Sequence, residues 1–588
     1  MRKQHHEAAT ASSLGHEPAT PGVTRRDLLK AGASAAALAG AGSLLPSAAL
    51  ATGGSGQHPV FGLGRADRRA VSFNLRTDAA TFYLNPPDSG PDVQPVSGDE
   101  GLYADFRGSF SKTLRHNSFG EVNPNSYHAF LDALESGAPA DFENIPVGRP
   151  NDPDRVRLVS PQAAYAFEMF GFDGNDPRMD AAPTFASAET AAEMGELYWY
   201  ALTRDVPFIN YSSSSLIGRA VTDLNAFSRS DIFPRDGGVV TPETLFRGTL
   251  PGAEIGPFVS QFLLQPFEFG RLQFDGRYDR PTPGGVNDFM TDFGEWLRIQ
   301  RGGAPTEQTT FSGQNRFISS MRALGEFVHV DFPIQSGLYS AFILLSYGED
   351  ALAVNNPYLR TASTTQQGFV DFGPADITHL VTHGPRLGLT GAWYQKWLAH
   401  RRLRPEVFAG RLNLNLRGLR SYDINHEIFS SDGLARIIAA NETGDPNNDG
   451  LLPMGYPEGS PAHPAYPGGH STFVAAAATI LKAWFNEDFV IPNPVIANAQ
   501  GTQLLPWTGA NLTVGNELNK LVGNITHGRD GAGMHWRSDG RGNFIGERQA
   551  LGVLADYSRT YNEDFDGFEL TLFSGQKVNI KNGHITPI

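Results

Sequence analysis

The sequence contains no cysteine. That absence excludes disulfides, thiolate metal sites, iron–sulfur clusters and cysteine nucleophiles together, so any nucleophile or metal ligand must be His, Ser, Thr, Lys or a carboxylate. A basic surplus is also missing. Against 47 Lys and Arg stand 62 Asp and Glu, a formal charge of −15, and no overall field draws the chain to nucleic acid or to an anionic membrane. Long apolar runs are absent as well: the segment from Ala31 is short, weakly hydrophobic and ends at Pro46, which argues against a membrane span. Charged residues make up only 19%, while 65 Gly and 40 Pro point to ordered elements joined by long loops rather than to a charge-rich disordered chain. At 588 residues, the chain is long enough to bury a large core.

What is present begins with an address. Thr24-Arg25-Arg26-Asp27-Leu28-Leu29-Lys30 precedes an Ala/Gly/Leu segment and then Ala49-Leu50-Ala51, a small-residue cleavage pattern. Residues 1–51 thus resemble a bacterial twin-arginine signal, which sends folded proteins to the periplasm or beyond. Residues 52–150, rich in Gly, Pro, Asp and Asn, read as a loop-rich wrapping segment with one or two helices. From Ser160 the texture changes. Apolar residues recur at three and four spacing over 161–169, 187–202, 285–300, 314–329, 336–345, 375–383, 389–402, 432–441, 471–486, 514–527 and 543–562. Sustained strand alternation is scarce, so 151–563 is expected to be one mainly α catalytic domain with long loops and few short strands. Residues 564–588 form a tail whose best hairpin candidate is 568–580, turning at Ser574-Gly575.

Three elements carry chemistry. Lys396, His400 and Arg404 follow at four-residue spacing, which predicts one helical face closed by Pro405, with two fixed cations able to grip one anion. The other reading of that spacing is a solvated basic face, since Arg401 and Arg402 lie there too. Next, Gly468-Gly469-His470 precedes an Ala-rich helix whose first amides can donate to an oxyanion, with His470 above it. In the third, Arg529 and His535 are six residues apart across Gly531 and Gly533, so a bend must bring them together. Asp539 can accept from His535 Nδ1 and leave Nε2 available as ligand or nucleophile. Together these make an oxyanion cradle.

The order Lys396…Arg404-Pro405…Pro467-Gly468-Gly469-His470…Arg529…His535…Asp539 resembles that of the vanadium-dependent haloperoxidases, whose site architecture is shared with bacterial acid phosphatases. The stretches Trp393-Tyr394-Gln395-Lys396-Trp397 and Glu458-Gly459-Ser460-Pro461-Ala462-His463-Pro464 are similar to the algal bromoperoxidase branch and its bacterial relatives. The resemblance implies a helix-bundle core and a vanadate cofactor. It makes His535 the ligand to vanadium; Lys396, Arg404, Arg529 and the Gly469 amide the partners of the vanadate oxygens; and His470 the acid–base residue. It places Gly468 where the family usually has Ser. His463, with Trp393 and His400 as pocket neighbours, implies bromide or iodide in preference to chloride. Hydrogen peroxide, a halide and a small organic acceptor are the implied partners, and a homo-oligomer is expected. Asp445-Pro446-Asn447-Asn448-Asp449-Gly450 follows the first half of a calcium loop, but the twelfth position is Tyr456, so an Asx-rich turn is the favoured reading. Because related algal enzymes carry one, a structural Ca²⁺ is an additional expectation of the resemblance. The same cradle would also serve an acid phosphatase with His535 as nucleophile, or an oxyanion-binding relative without turnover.

Replacing Arg25-Arg26 by Lys-Lys is expected to hold the protein in the cytoplasm, since the paired guanidinium groups are what the export receptor reads. Fractionation of expressing cells checks this, and unchanged export of the Lys-Lys variant would dismiss the assignment.

Overall fold

Short polar side chains and prolines set where the helices begin. The computed structural model describes residues 68–84, 93–441 and 450–588, so the signal-like segment and most of the Asx-rich turn lie outside the described residues. In chain order, the helices that matter for the site are α1 (Pro124–Ser136), α2 (Ala188–Thr203), α3 (Met321–Phe327), α4 (Gln335–Ser346), α5 (Pro374–Tyr394), α6 (Pro405–Leu416), α7 (Gly469–Trp484), α8 (Val514–Gly531) and α9 (Gly542–Ser558). Asn123, Ser187, Ser320 and Thr513 cap α1, α2, α3 and α8 by accepting from the amide three residues on. Pro124, Pro374 and Pro405 stand at first helical positions, where their missing N–H costs nothing.

The centre of the bundle is α7, packed against α5, α8 and α9. Every residue of α7 is buried except His470, which is partly buried. Its alanines, Ala475 to Ala478, let neighbours approach closely, and the neighbours answer with glycine. At Gly546 of α9 a Cβ would lie 2.1 Å from Thr472 O, and at Gly388 of α5 it would lie 3.3 Å from the same oxygen. This close crossing places the start of α9 beside the turn that leads into α7.

Residues 93–165 build a second apolar cluster of Phe106, Phe110, Leu114, Tyr127 and Phe130 around Trp397. The same segment pins the chain after Trp397: Phe110 N donates to Arg401 O at 2.7 Å, Leu403 N to Gly108 O at 3.2 Å, and Glu100 pairs with Arg401. The expected hairpin is present as β1 (Phe568–Thr571) and β2 (Lys577–Lys581), antiparallel with Leu570 opposite Val578, and a third strand, β3 (His584–Pro587), follows.

Three expectations need correction. The helix predicted over 285–300 starts only at Phe293, because Asp292 caps it by accepting from Glu295 N. Residues 314–316 belong to a strand paired with Tyr278–Pro281, and the helix after it begins where Ser320 caps α3. The amphipathic pattern over 161–169 yields one 3₁₀ turn, Pro161–Tyr165, and leaves Phe167 and Met169 exposed.

Gly546→Ala should destabilise the fold by about 1–3 kcal/mol, because the added methyl meets backbone atoms that have no side-chain rotamer to yield. Urea denaturation checks it, and an unchanged midpoint would mean that α7 and α9 part without cost.

Candidate active site

Three separate segments meet at the amino end of α7. The first comes from α5, which passes into a π-helical turn, Gln395–His400, carrying Lys396. Arg401 then takes a left-handed conformation at φ 41°, and Arg404 is the residue immediately before α6. Lys396, His400 and Arg404 therefore do not share one helical face, and Pro405 opens a helix rather than closing one. The spacing was compatible with a continuous helix; the left-handed Arg401, held by Phe110 N and Glu100, turns the chain instead.

The second segment is the turn before α7. Gly468 donates to Asp539 O at 2.8 Å, and no side chain caps the helix, so the first-turn amides face outward at its positive end. In the third, α8 ends at Gly531 and Gly533 takes φ 87°, the bend needed to bring Arg529 and His535 to one place.

The result is an unusual concentration of buried positive charge. Lys396 and Arg404 are fully buried, and Arg529 nearly so. Lys396 Nζ donates to Pro464 O and Ala465 O, both at 2.8 Å. Arg404 donates to His463 O, Met534 O and His463 Nδ1, and its Nη1 reaches His535 Nε2 at 3.0 Å. Arg529 Nη1 donates to Val328 O at 2.9 Å, and its guanidinium lies 5.1 Å from the Tyr456 ring. Its Nε is buried without a partner. Burial, and then the neighbouring Arg404, holds Lys396 well below its ordinary pKa; burial lowers Arg404 to about 9.

His535 lies within this group with a defined hydrogen-bonding pattern. Its Nδ1–H donates to Asp539 Oδ2 at 2.7 Å, so Nε2 is the acceptor facing Arg404. Burial, then Arg404, Lys396 and Arg529, push its pKa well down and keep the ring neutral. His463 stacks obliquely 5.0 Å from Trp393, and burial and Arg404 hold it neutral too. His470 differs. Its Nε2 meets Asp331 Oδ1 at 2.9 Å, so a carboxylate offsets part of the lowering that burial imposes.

Not every candidate reaches the cradle. Trp393, tied to Val159 O through Nε1, lies with its ring beside Gly469 and His463, but His400 packs edge-on against Tyr466, 4.7 Å away, on the turn leading to His470. The roles of two contributors were missed by sequence reasoning. Tyr456 lies just before the Glu458–Pro464 stretch but was read only as a calcium-loop position, and no spacing rule connects Asp331, in a loop after α3, to a histidine on α7. Among the described residues, no group of three or more His, Asp or Glu is placed to hold a metal ion, and residues 442–449 lie outside them.

A neutral histidine offering one lone pair, beside three buried basic side chains at a helix amino end, is an arrangement suited to an enzyme that holds an oxyanion through a histidine. Residues 439–562 match the VCPO second helical-bundle domain. The chain is 35% identical over 529 residues to a vanadium-dependent bromoperoxidase of Ascophyllum nodosum, spanning 87% of this chain and 92% of that one. It is 31% identical to a vanadium-dependent bromoperoxidase of Corallina pilulifera, across 87% and 98%. A solved structure, the homohexameric second vanadate-dependent bromoperoxidase of Ascophyllum nodosum, superposes with a TM-score of 0.83 at 29% identity, covering 93% of this chain and 95% of that one. The chain belongs to the vanadium-dependent haloperoxidase family. Nothing in these similarities favours the phosphatase alternative.

The residues fit the vanadate that the family implies. Asp539 acts on Lys396, Asp539 and Glu406 act on Arg404, Arg529 Nε has no partner, and no side chain caps the α7 amides. Such a set is costly to bury without an anion and suits a tetrahedral oxyanion.

Gly468 has φ −67°, which any residue adopts, so serine meets no backbone strain there. A Cβ would sit 3.0 Å from Ser471 Oγ and 3.2 Å from Asp539 O, a crowding that a rotated Ser471 hydroxyl relieves in part. Gly468→Ser should therefore tighten vanadate binding about tenfold through one more hydrogen bond to a charged oxygen. Titration of the vanadate-free enzyme checks it; weaker binding would mean that the Asp539 carbonyl does not give way.

Proposed function

We propose that this protein is a vanadate-dependent haloperoxidase that oxidises bromide or iodide with hydrogen peroxide, consuming one proton and yielding hypohalous acid and water, the acid then halogenating organic acceptors. The observation that carries this reading is the arrangement at His535: Nδ1 committed to Asp539, Nε2 directed among Lys396, Arg404 and Arg529. That lone pair would ligate vanadium, while the three cations and the Gly469 amide hold the oxygens. Vanadate, when bound, supplies the Lewis-acid centre that makes a peroxide oxygen electrophilic toward halide.

The remaining chemistry belongs to the chain. His470 is the acid–base residue: it takes up a peroxide proton, and Asp331 on its Nε2 stabilises the imidazolium that forms. His463 and Trp393 border the cradle with neutral, polarisable rings, which supports bromide or iodide over the more strongly hydrated chloride. His400 is a more distant neighbour acting through Tyr466. Export through a twin-arginine pathway is part of the reading, and among the described residues no helix is long and apolar enough to cross a membrane. Assembly as a homo-oligomer is supported by the homohexameric relative.

A halide-dependent peroxidase assay with and without added orthovanadate, run beside release of nitrophenol from its phosphate, tests the function. Bromination that requires vanadate is expected. His535→Ala should lose bound vanadium and activity together, whereas His470→Ala should keep measurable vanadate and lose roughly 10²–10⁴ of turnover. Both variants retaining full activity, or phosphate hydrolysis outrunning bromination, would refute the reading.

A further inference from the structure

The hydrogen bonds that start at His535 do not stop at Asp539. Asp539 Oδ2 accepts from His535 Nδ1 at 2.7 Å and from Trp536 N at 3.0 Å, and its other oxygen, Oδ1, faces Arg402 Nη1 at 3.3 Å. Arg402 Nη1 also donates to Ser538 Oγ at 2.7 Å, and Nη2 donates to Glu193 Oε2 at 2.8 Å. Glu193 closes the ring by accepting from Ser538 N through Oε1 at 2.6 Å. The Arg402 guanidinium lies 4.7 Å from the Trp536 ring. The Arg402 and Glu193 side chains are 3% and 1% exposed, so neither end is a solvated surface pair.

We propose that Arg402 and Glu193 are positioning residues for His535: they fix the Asp539 carboxylate so that the histidine keeps its Nδ1 proton and holds its Nε2 lone pair toward the oxyanion site. The inference rests on the proposed vanadate-binding role of His535.

The argument is electrostatic and geometric. Asp539 is the first carboxylate acting on both Lys396 and Arg404, and its attraction to Lys396 competes with its hydrogen bond to His535. A second, fixed donor on Oδ1 holds the carboxylate where Oδ2 meets Nδ1. Arg402 supplies that donor, and only a planar fork can reach Asp539, Ser538 and Glu193 at once. Arg402 alone would add a fourth interior cation beside the cradle. Glu193 cancels that charge while gripping the far side of the guanidinium, which leaves the Asp539 charge for His535. Glu193 is delivered by α2, Arg402 by the pinned loop after the π turn, and Asp539 by the segment after α8, so the arrangement ties three distant parts of the chain behind one ligand.

Vanadate and phosphate distinguish positioning from general support. Both anions meet the same cations, but only vanadate gains a bond to the Nε2 lone pair. The full-length protein freed of vanadate, and its Glu193→Gln and Arg402→Lys variants, are titrated with orthovanadate and with inorganic phosphate by calorimetry, and the ratio of the two affinities is read. Glu193→Gln keeps the size of the side chain and the acceptor for Ser538 N, so its folding is readily verified by near-ultraviolet circular dichroism. Removing the Glu193 charge should leave phosphate binding equal or stronger, while the preference for vanadate falls about tenfold, the usual scale for a residue that orients a metal ligand. Arg402→Lys should lower the preference in the same direction. In an Asp539→Asn background, Glu193→Gln should change the ratio by less than about twofold, since both would act through the same carboxylate. Equal losses for both anions, or effects that multiply in the double variant, would overturn the inference and leave only a structural role. A parent protein with no preference for vanadate would instead remove the proposed function and the inference with it, whereas a preference kept intact in the folded variants removes the inference alone.

Discussion

The structure is organised around a charge imbalance in its interior. Lys396, Arg404 and Arg529 are withdrawn from water within reach of one another, and the carboxylates of Asp539 and Glu406 answer only part of their charge. Burying an ion costs several kcal/mol after relaxation, and a surplus of one sign costs more because the charges also repel. A loose scaffold would relieve this by letting water in or by turning the side chains outward. Here each cation is held by backbone carbonyls: Pro464 and Ala465 for Lys396, His463 and Met534 for Arg404, Val328 for Arg529. Carbonyl dipoles stabilise cations without neutralising them, so the attraction for an external oxyanion survives. An acidic protein can in this way present a strongly anion-seeking interior.

Holding that arrangement requires precise relations between segments far apart in sequence, and close helix packing supplies them. The α7 alanines and Gly546 bring α9 near enough that its start lies against the Gly468 turn, where a Cβ on Gly542 would come within 2.8 Å of Gly468 O. Gly468 N then bonds to Asp539 O, so the turn bearing the oxyanion-facing amides is fastened to the segment bearing His535. The apolar cluster of residues 106–165 does the same for the other side, seating Trp397 and pinning the backbone at Arg401 and Leu403. Packing and catalytic geometry are here one set of contacts.

Much of this was legible in the sequence because the chemistry demands local patterns. Glycines before an alanine-rich helix, a histidine followed four residues later by aspartate, and two glycines between Arg529 and His535 each have a short-range physical meaning, and the observed turn, hydrogen bond and bend agree with them. The resemblance then tied the three elements together. What was not legible depends on long-range contacts. Four-residue spacing from Lys396 to Arg404 reads as a helix in isolation; the left-handed Arg401 exists because Phe110 and Glu100, nearly three hundred residues earlier, hold it. The roles of Asp331 and Tyr456 rest on contacts with His470 and Arg529 that no short-range pattern announces. Helix starts at Phe293 and Met321 were misplaced because apolar periodicity continued upstream of the caps that actually set them.

Under the proposed function, the two histidines at the centre would be given different tasks by their different surroundings. His535 and His470 are both buried enough to be driven toward the neutral form. Around His535 the remaining influences are cations, which disfavour protonation further, and its carboxylate partner is shared with Arg402. A ring so placed keeps a lone pair at Nε2 across the physiological range, as a metal ligand requires. Around His470 the first influence after burial is Asp331, which favours protonation, with Arg529 opposing it. The net shift is still downward, but the carboxylate opposes it, which suits the acid–base role proposed for His470. Exchanging the environments would favour protonation of the proposed ligand and disfavour it in the proposed proton carrier, so the proposed division of labour would rest on Asp331 and the cation cluster as much as on the histidines themselves.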